Sequence, residues 1–509
     1  MISEVFTAAT LGVEGYIVRV ETHLEAGMHN FYMVGLPDNT VKESRNRVSA
    51  AMKNSGFFFP ITKKITINLA PADIKKEGSG YDLPIALGIL SGTGQVKPDL
   101  TKDILFIGEL SLDGKLRGVP GILPIALEAK KRKFKGILLS KENADEAAVV
   151  DGLDVYPFDD LKSIVDFLNG NIVVKPYKIN LEELFNKHKN YELDFADVKG
   201  QAEVKRAMEV AAAGGHNILM IGLPGSGKTM LAKRLPSILP PLTLKEALET
   251  TKIHSVAGLV NKDTPIIFTR PFAAPHHTAS DIAIVGGGTN AKPGEISFAH
   301  NGVLFLDELT EFKKNVLEVL RQPLEDKVIT ISRAKITVKY PCNFMLVAAM
   351  NPTPAATAKE IEMYSDYEIQ KNLSKISGPI LDRIDIHIVV NPVKYSDLST
   401  KQEGEKSEVI RERVTRAREI QLARFSSYEG VYCNANMSTK LIKNYCKIDS
   451  ACEDLLKTAM TKLGLSARAY DKILKVSRTI ADLEGSENIT TAHISEAIQY
   501  RSLDRSNWF

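Results

Sequence analysis

The sequence is poor in cysteine, and this scarcity limits the kinds of protein it can encode. Its 509 residues contain four cysteines, at positions 342, 433, 446 and 452, and no two of them form a C-x-x-C pair. A disulfide framework or a cysteine zinc site needs several cysteines at characteristic spacings. We therefore expect reduced thiols in a cytoplasmic protein, with no disulfide framework and no zinc site.

Long apolar runs and a strong net charge are missing as well. No run approaches the roughly 20 apolar residues of a membrane span, so no membrane partner is expected. The N-terminus also lacks the pattern of a signal peptide. The net charge of +3 is too small to indicate nucleic-acid binding by itself. The ordinary balance of 44% hydrophobic and 25% charged residues predicts two to four globular domains.

The most informative motif of the sequence is a glycine-rich stretch at residues 222–229. Residues 222–229 read G-x-x-x-x-G-K-T, the pattern of a nucleotide phosphate-binding loop. The apolar run 218–221 precedes it and a helix-forming run follows it, which is the arrangement that binds phosphate at a helix N-terminus. The predicted ATP-binding residues are Gly222, Leu223, Pro224, Gly225, Ser226, Gly227, Lys228 and Thr229.

The residue types in this loop match its chemistry. Glycines let successive backbone N–H groups turn towards an anion. Lys228 is predicted to place its ammonium on the β- and γ-phosphates of ATP, and Thr229 to give its hydroxyl to Mg²⁺.

A second carboxylate-bearing strand is predicted at Gly302–Leu306. Asp307 follows it and is expected to hold Mg²⁺ through water, while Glu308 is expected to polarise the attacking water. A third apolar run ends at Asn351, whose amide can orient the water between Glu308 and the γ-phosphate.

Alternating and helical patterns fill the rest of the chain. Residues 1–170 predict an α+β domain, residues 171–195 a linker, and residues 196–395 an α/β ATPase core. Residues 396–509 predict a helical lid. The predicted N-terminal strands are 15–22, 31–35, 64–69, 104–110 and 136–140, the helices of that domain are 38–55, 82–90 and 123–131, and the lid helices are 404–425, 449–463, 467–483 and 491–501.

The N-terminal domain resembles a known family. Residues 32–38, 43–45 and 68–73 resemble the amino-terminal domain of the magnesium-chelatase-like ATPases of the ComM/YifB family, which is similar in fold to the Lon protease catalytic domain. The Lon serine and lysine correspond to Gly80 and Leu123 in this sequence, although Ser79 lies one residue away. The resemblance therefore implies a non-proteolytic domain.

The ATPase part is similar to the AAA+ class, in which Asn351 takes the sensor-1 position. Residues 270–280 and 286–288 resemble the helix-2 insertion of magnesium chelatase and MCM helicases, with Ala273 where the family has a second arginine. For His276-His277 we favour a structural or interaction role over a metal site, because no third ligand stands at a suitable spacing.

Four further cationic residues receive roles from these patterns. Residues 327–338 predict a β-hairpin with a basic tip, and in the related motors this hairpin lines a ring pore, so Arg333 and Lys335 are candidate DNA phosphate contacts. An exposed polar tip without function is the alternative. Residues 377–386 resemble the arginine-finger signature and assign that role to Arg383, while Arg468 matches a sensor-2 arginine. Residues 353–374 lack the cysteine cluster of many family members.

The resemblance implies an ATP- and Mg²⁺-dependent DNA motor, a hexameric ring that promotes branch migration in recombination or natural transformation. It would bind single-stranded or branched DNA without sequence preference. Two alternatives remain: a magnesium-chelatase motor subunit, against which the Lon-like domain argues, and an ATP-dependent regulatory or scaffold protein.

Overall fold

The computed structural model describes residues 2–28, 30–97, 102–181, 183–184, 191–260, 264–288, 290–333, 336–352, 375–393, 404–428 and 430–501. The chain forms two compact units. Unit 1 comprises Met1–His188 and Ala247–Ile267, and unit 2 comprises Lys189–Glu246 and Phe268–Phe509. Unit 1 thus contains a second segment that the predicted domain 1–170 does not include.

Unit 1 is built on a mixed sheet. Its strands are β1 (Ile2–Leu11), β2 (Glu14–Ala26), β3 (Asn30–Val34), β4 (Lys63–Ala70), β5 (Ile104–Phe106), β6 (Glu109–Leu110), β7 (Leu116–Arg117), β8 (Gly136–Ser140) and β9 (Asp154–Phe158). Among the described residues the sheet order is β3-β4-β2-β1-β5-β8-β9, and β6 and β7 form a separate ribbon. Antiparallel pairing joins β1 to β2 and β2 to β4, and the other neighbours run parallel.

Helices pack on this sheet, whose strands present buried apolar side chains. In β4, for example, Ile65, Ile67 and Leu69 are fully buried. The helices are α1 (Asn39–Asn54), α2 (Asp82–Gly92), α3 (Ile122–Lys131), α4 (Ala144–Ala148) and α5 (Leu161–Leu168). The side chain of Asp38 caps α1 by accepting the Val41 N–H at 2.8 Å.

Unit 2 contains a parallel sheet. Its strands are β10 (Ile218–Ile221), β11 (Phe272–Ala273), β12 (Gly286–Gly287), β13 (Lys292–Pro293), β14 (Val303–Leu306), β15 (Val328–Arg333), β16 (Ile336–Pro341), β17 (Met345–Met350) and β18 (Ile386–Val389). The sheet order in the described part of the chain is β11-β14-β17-β10-β18, and all neighbours are parallel. β12 with β13 and β15 with β16 form antiparallel hairpins.

The helices of unit 2 share one core with this sheet. Met208, Val414 and Ile480, on three different helices, are fully buried in the same hydrophobic cluster as Ile218 of β10. The C-terminal helices therefore share a hydrophobic core with the five-stranded parallel sheet of unit 2. From residue 202 onward the helices are α6 (Ala202–Gly214), α7 (Lys228–Arg234), α8 (Leu244–Val256), α9 (Asp281–Val285), α10 (Glu295–Phe298), α11 (Lys314–Val319), α12 (Arg321–Asp326), α13 (Gly378–Leu381), α14 (Ser407–Arg424), α15 (Thr439–Tyr445), α16 (Ser450–Leu463), α17 (Ala467–Glu484) and α18 (Thr491–Gln499). The division between the units falls within α8, which belongs to unit 1 from Ala247 onward.

Most predicted elements are confirmed to within a few residues, and the mixed α/β multidomain organisation is as expected. The predicted strand 104–110 is wrong as one element, because the chain leaves the sheet after Phe106. Gly108 exchanges backbone hydrogen bonds with Gly80 and Leu83, at 3.1 Å each, instead of with a neighbouring strand. The strands β1, β9 and β18 and the helices α4, α8 and α15 are among the elements that the sequence did not predict.

In the part of the chain that the structure describes, no helix combines the length and the apolar character needed to cross a membrane.

Candidate nucleotide site

The phosphate loop lies between a buried strand and a helix, as its sequence predicts. All four residues of β10 are buried, and α7 begins at Lys228 directly after Gly227. Gly225 and Gly227 have φ angles of 76° and 93°, a region that side-chain-bearing residues rarely adopt. These glycines turn the chain into the N-terminus of α7, where the first backbone N–H groups of a helix have no intrahelical acceptor and therefore suit an anion.

Gly222 allows the loop to pass close to its neighbours. A Cβ atom at this position would lie 2.3 Å from the Val390 carbonyl oxygen and 2.9 Å from the Ser226 Oγ. The first of these contacts is with backbone, which cannot move aside cheaply. The loop therefore needs glycine at its first position.

Lys228 lies at the centre of the loop. Its Nζ donates hydrogen bonds to the carbonyl oxygens of Gly222 at 2.7 Å and Leu223 at 2.9 Å, and to Oδ1 of Asn351 at 3.1 Å. Burial lowers the pKa of this ammonium, and the carboxylates of Asp307 and Glu308 oppose that shift. A buried ammonium held mainly by neutral oxygens is a good partner for phosphate, because phosphate adds the negative charge that carbonyls lack.

The structure brings Thr229 and Asp307 together. The Thr229 Oγ1 donates to Oδ2 of Asp307 at 2.6 Å. Asp307 follows β14 directly, and β17 alone separates β14 from β10, so the carboxyl ends of these strands meet at one edge. A hydroxyl oxygen beside a carboxylate is the hard donor set that Mg²⁺ prefers, so these residues fit the predicted metal.

Glu308 has a different neighbour from Asp307. Its backbone is left-handed, with φ 52°, and its N–H donates to Oδ1 of Asp307 at 3.0 Å. Its Oε2 lies 3.2 Å from Nδ1 of His277, and 51% of its side chain is exposed. Sequence reasoning named His277 without linking it to Glu308.

The predicted arginine finger, Arg383, and the predicted sensor-2 arginine, Arg468, each pair with a carboxylate of unit 2. Arg383 pairs with Glu325 and also donates to the Pro379 carbonyl oxygen. Arg468, on α17, donates to Oδ2 of Asp382 at 2.5 Å. Arg468 therefore pairs with the residue that precedes Arg383 in the chain.

The predicted basic hairpin is present as β15 and β16, but half of its predicted tip lies outside the described residues. Arg333 donates from Nε to the Gly288 carbonyl oxygen at 3.3 Å. Lys335 falls among the residues that are not described, as does the stretch 353–374.

Gln201 is a loop contact that the sequence analysis missed. Its Nε2 donates to the carbonyl oxygens of Ser226 at 2.8 Å and Asn391 at 3.0 Å. It therefore braces the phosphate loop from the start of α6. The signal available in the sequence is the Gly200-Gln201 turn immediately before that helix.

Across the described ranges, no three His, Cys, Asp or Glu side chains cluster as metal ligands. Ala273, which replaces the expected arginine, lies buried in β11 and pairs with Leu304 of β14.

Comparisons with known proteins cover nearly the whole chain. Family models described as "Magnesium chelatase, subunit ChlI", "Subunit ChlI of Mg-chelatase" and "Magnesium chelatase, subunit ChlI C-terminal" match residues 194–398, 20–143 and 404–501. The chain is 46% identical to "Competence protein ComM" of Haemophilus influenzae, over 98% of this chain and 97% of that protein. It is 43% identical to "Uncharacterized protein YifB" of Escherichia coli, over 99% and 98% of the two chains.

A shorter match reaches a chelatase subunit itself. The chain is 28% identical to the "Magnesium-chelatase 67 kDa subunit" of Heliobacterium mobile, over 31% of this chain and 28% of that protein. The full-length matches and the three adjoining family segments agree with the phosphate loop and the parallel sheet. The chain belongs to the ComM/YifB family of magnesium-chelatase-like AAA+ ATPases.

Proposed function

We propose that this chain hydrolyses ATP to drive movement along DNA. The observation that carries the catalytic half of this proposal is the Thr229–Asp307 contact of 2.6 Å, beside a buried Lys228 at the N-terminus of α7. The predicted Mg²⁺ ligands and the predicted phosphate-binding cation thus lie at one edge of the sheet. Few functions other than triphosphate binding need all three there.

Each residue has a part in the hydrolysis. Mg²⁺, when bound with ATP, neutralises charge on the β- and γ-phosphates. Lys228 exchanges its carbonyl contacts for phosphate oxygens, and the N–H groups of the loop hold the phosphates in line. Glu308 accepts a proton from the attacking water, and Asn351, already beside Lys228, orients that water towards the γ-phosphate.

We extend the proposal to a ring of identical subunits, six by the family resemblance. In such a ring Arg383 serves the site of a neighbour and Arg468 reports the nucleotide state through the C-terminal helices as a lid. The support is that both arginines sit on elements tied together by the Arg468–Asp382 pair. Unit 1 is proposed to be a Lon-like domain without proteolytic chemistry.

DNA is the proposed partner, single-stranded or branched and bound without sequence preference, in the cytoplasm. The hairpin with Arg333 and Lys335 supports this, since backbone phosphates are bound by cations. The Haemophilus influenzae relative is named a competence protein, which favours a role in branch migration during natural transformation.

A magnesium-chelatase motor is the second candidate, and two observations bear on it. A family model described as a chelatase subunit matches residues 20–143, so the N-terminal unit does not by itself argue against this function. The matched extent does argue against it, because the chelatase relative covers 31% of the chain and the ComM relative 98%. A regulatory or scaffold role that uses ATP for assembly is the third candidate.

One measurement separates these candidates. ATP turnover of the full-length chain is measured alone and with single-stranded, double-stranded and forked DNA. A DNA motor shows turnover that rises with DNA, most with forked or single-stranded forms. Turnover that ignores all DNA leaves the chelatase-like or scaffold function.

A further inference from the structure

The two adjacent histidines of the insertion make different contacts. His277 Nδ1 lies 3.2 Å from Oε2 of Glu308. His276 Nδ1 instead hydrogen-bonds to the Thr278 hydroxyl at 2.8 Å, within its own loop. The rings lie side by side, with centroids 4.2 Å apart. Only one member of the pair therefore reaches the catalytic carboxylate.

The sheet explains why His277 arrives there. β11 and β14 pair in parallel, with Phe272 opposite Val303 and Ala273 opposite Leu304. Their carboxyl ends meet at the same edge, so the loop after β11 runs beside the residues after β14. The His277 ring also packs edge-on against Phe312, with centroids 6.4 Å apart, which helps to hold its direction.

We propose that His277 is a positioning residue that restrains Glu308. This inference rests on the proposed role of Glu308 in hydrolysis. The backbone of Glu308 is fixed in a left-handed conformation at the N-terminus of a short 3₁₀ turn, so its side-chain torsions alone decide where the carboxylate points. Pointed at His277, the carboxylate faces the ring nitrogen Nδ1 at 3.2 Å and pairs with it when that nitrogen carries a proton. It must leave that partner to accept a proton from water.

The segment that carries His277 also contacts the candidate DNA-binding hairpin. The chain continues from His277 through Ser280, which caps α9, to the turn at Gly286–Gly288. Arg333 of the hairpin donates to the Gly288 carbonyl oxygen at 3.3 Å, and a Cβ at Gly286 would lie 2.7 Å from the Ile331 side chain. A partner that displaces the hairpin therefore pulls on the segment that holds Glu308.

The test compares His277→Ala with His276→Ala in the full-length chain. His277→Ala removes the restraint, so kcat for ATP without DNA rises severalfold, KM stays within about twofold, and the ratio of DNA-stimulated to basal turnover falls towards one. His276→Ala keeps parental values because its contact stays within its own loop. His277→Asn restores the parental kcat, since its amide nitrogen replaces Nδ1 at nearly the same place.

Other outcomes overturn the inference. Equal kcat values for His277→Ala and His276→Ala show that there is no restraint, and a kcat that falls as it does for Glu308→Gln shows that His277 assists catalysis. A parent without basal turnover must gain it on His277→Ala, and a silent variant overturns the inference. If the parent hydrolyses ATP but its turnover does not change with DNA, the proposed DNA-motor function is refuted. The comparison of kcat values still decides the role of His277, because it does not depend on DNA.

Discussion

Asp307 and Glu308 are neighbours in sequence, but the proposed function gives their carboxylates different tasks. Asp307 accepts a hydrogen bond from the hydroxyl of Thr229, whereas Glu308 has a left-handed backbone conformation and a half-exposed side chain. A carboxylate that accepts a proton must be able to move and meet water, while one that fixes a metal must not. The two environments suit these two tasks.

Glu308→Gln tests the second task. The amide keeps the shape of the carboxylate but cannot accept the proton, so ATP binding persists and turnover falls about a hundredfold or more. Equilibrium nucleotide binding and steady-state phosphate release measure the two effects. Glu311→Gln is the control, because this nearby carboxylate pairs with Lys375 at 3.4 Å and lies in the same turn. Parental turnover in Glu308→Gln would remove the assignment.

Contiguous motifs made much of this site predictable. The eight residues of the phosphate loop carry their own spacing, and Asp307 and Glu308 end an apolar run that reads as a buried strand. The contacts of His277 and Gln201 depend instead on tertiary structure. His277 reaches Glu308 because the two-residue strand β11 joins the sheet beside β14, and a strand that short leaves no periodic pattern in the sequence.

At the scale of elements, the segment that carries Arg383 is fastened to α17 at two points. Arg468 bonds to Asp382, and Lys472 donates to the Ile384 carbonyl oxygen at 2.8 Å and lies 3.2 Å from Oδ1 of Asp385. Burial alone would raise the pKa of Asp385, but Lys472 and His216 outweigh it and hold this pKa below its ordinary range. A movement of α17 therefore moves the segment that carries Arg383.

Lys472→Met tests the contacts that Lys472 makes with Ile384 and Asp385. It leaves the Asp385 carboxylate buried without its main cation, which costs about 3 kcal/mol of unfolding free energy for a buried pair. Thermal unfolding of unit 2 should show a lowered Tm, while Lys457→Met, on the exposed face of α16, should leave the Tm unchanged. Because the folded-state pKa of Asp385 is depressed, its stabilisation is present above the ordinary value of 3.8 and is lost as pH falls towards the folded value. Equal Tm values for the two variants would contradict this account.

The hairpin of β15 and β16 carries the prediction about DNA. Arg333→Ala/Lys335→Ala keeps basal ATPase but loses DNA stimulation and junction movement, because cations that contact phosphate act without regard to sequence. Each lost contact also reduces the salt slope of DNA binding by about one. Filter binding across a salt series and a branch-migration assay measure these effects. Lys339→Ala, an exposed cation opposite Thr330 on the same hairpin, is the control. A double variant that migrates junctions as well as the parent would end the pore assignment.

At the scale of the whole molecule, the proposed ring requires composite sites. Mixing an Arg383→Ala subunit with a Lys228→Ala subunit should restore part of the activity, since an intact Lys228 and an intact Arg383 can meet at a mixed interface. Each variant alone should lose about 10³-fold in turnover if Arg383 acts as a finger. Phosphate release is measured for each variant and for the mixture. Full activity in a dilute, monomeric parent would contradict the composite site.

Unit 1 should show no peptidase activity. The positions that correspond to the Lon serine and lysine are Gly80 and Leu123, and Leu123 is fully buried in α3. Neither can supply a nucleophile or a base. Casein and short peptides should stay intact with and without ATP. Cleavage that disappears in Ser79→Ala would show instead that the active serine is one residue away.

Because residues 247–267 belong to unit 1, the two units cannot be separated by a single cut in the chain. The chain passes between the two units three times, after residues 188, 246 and 267. An N-terminal fragment ending at residue 188 would leave the buried carboxylate of Glu146 without the Ser255 hydroxyl that lies 2.5 Å away. A fragment starting at residue 189 would carry Ile253 and Ile266, both fully buried in the intact chain, with nothing of Met1–His188 to cover them. Expression of either piece alone should therefore give aggregation-prone material, and a deletion of unit 1 has to remove both of its segments, Met1–His188 and Ala247–Ile267.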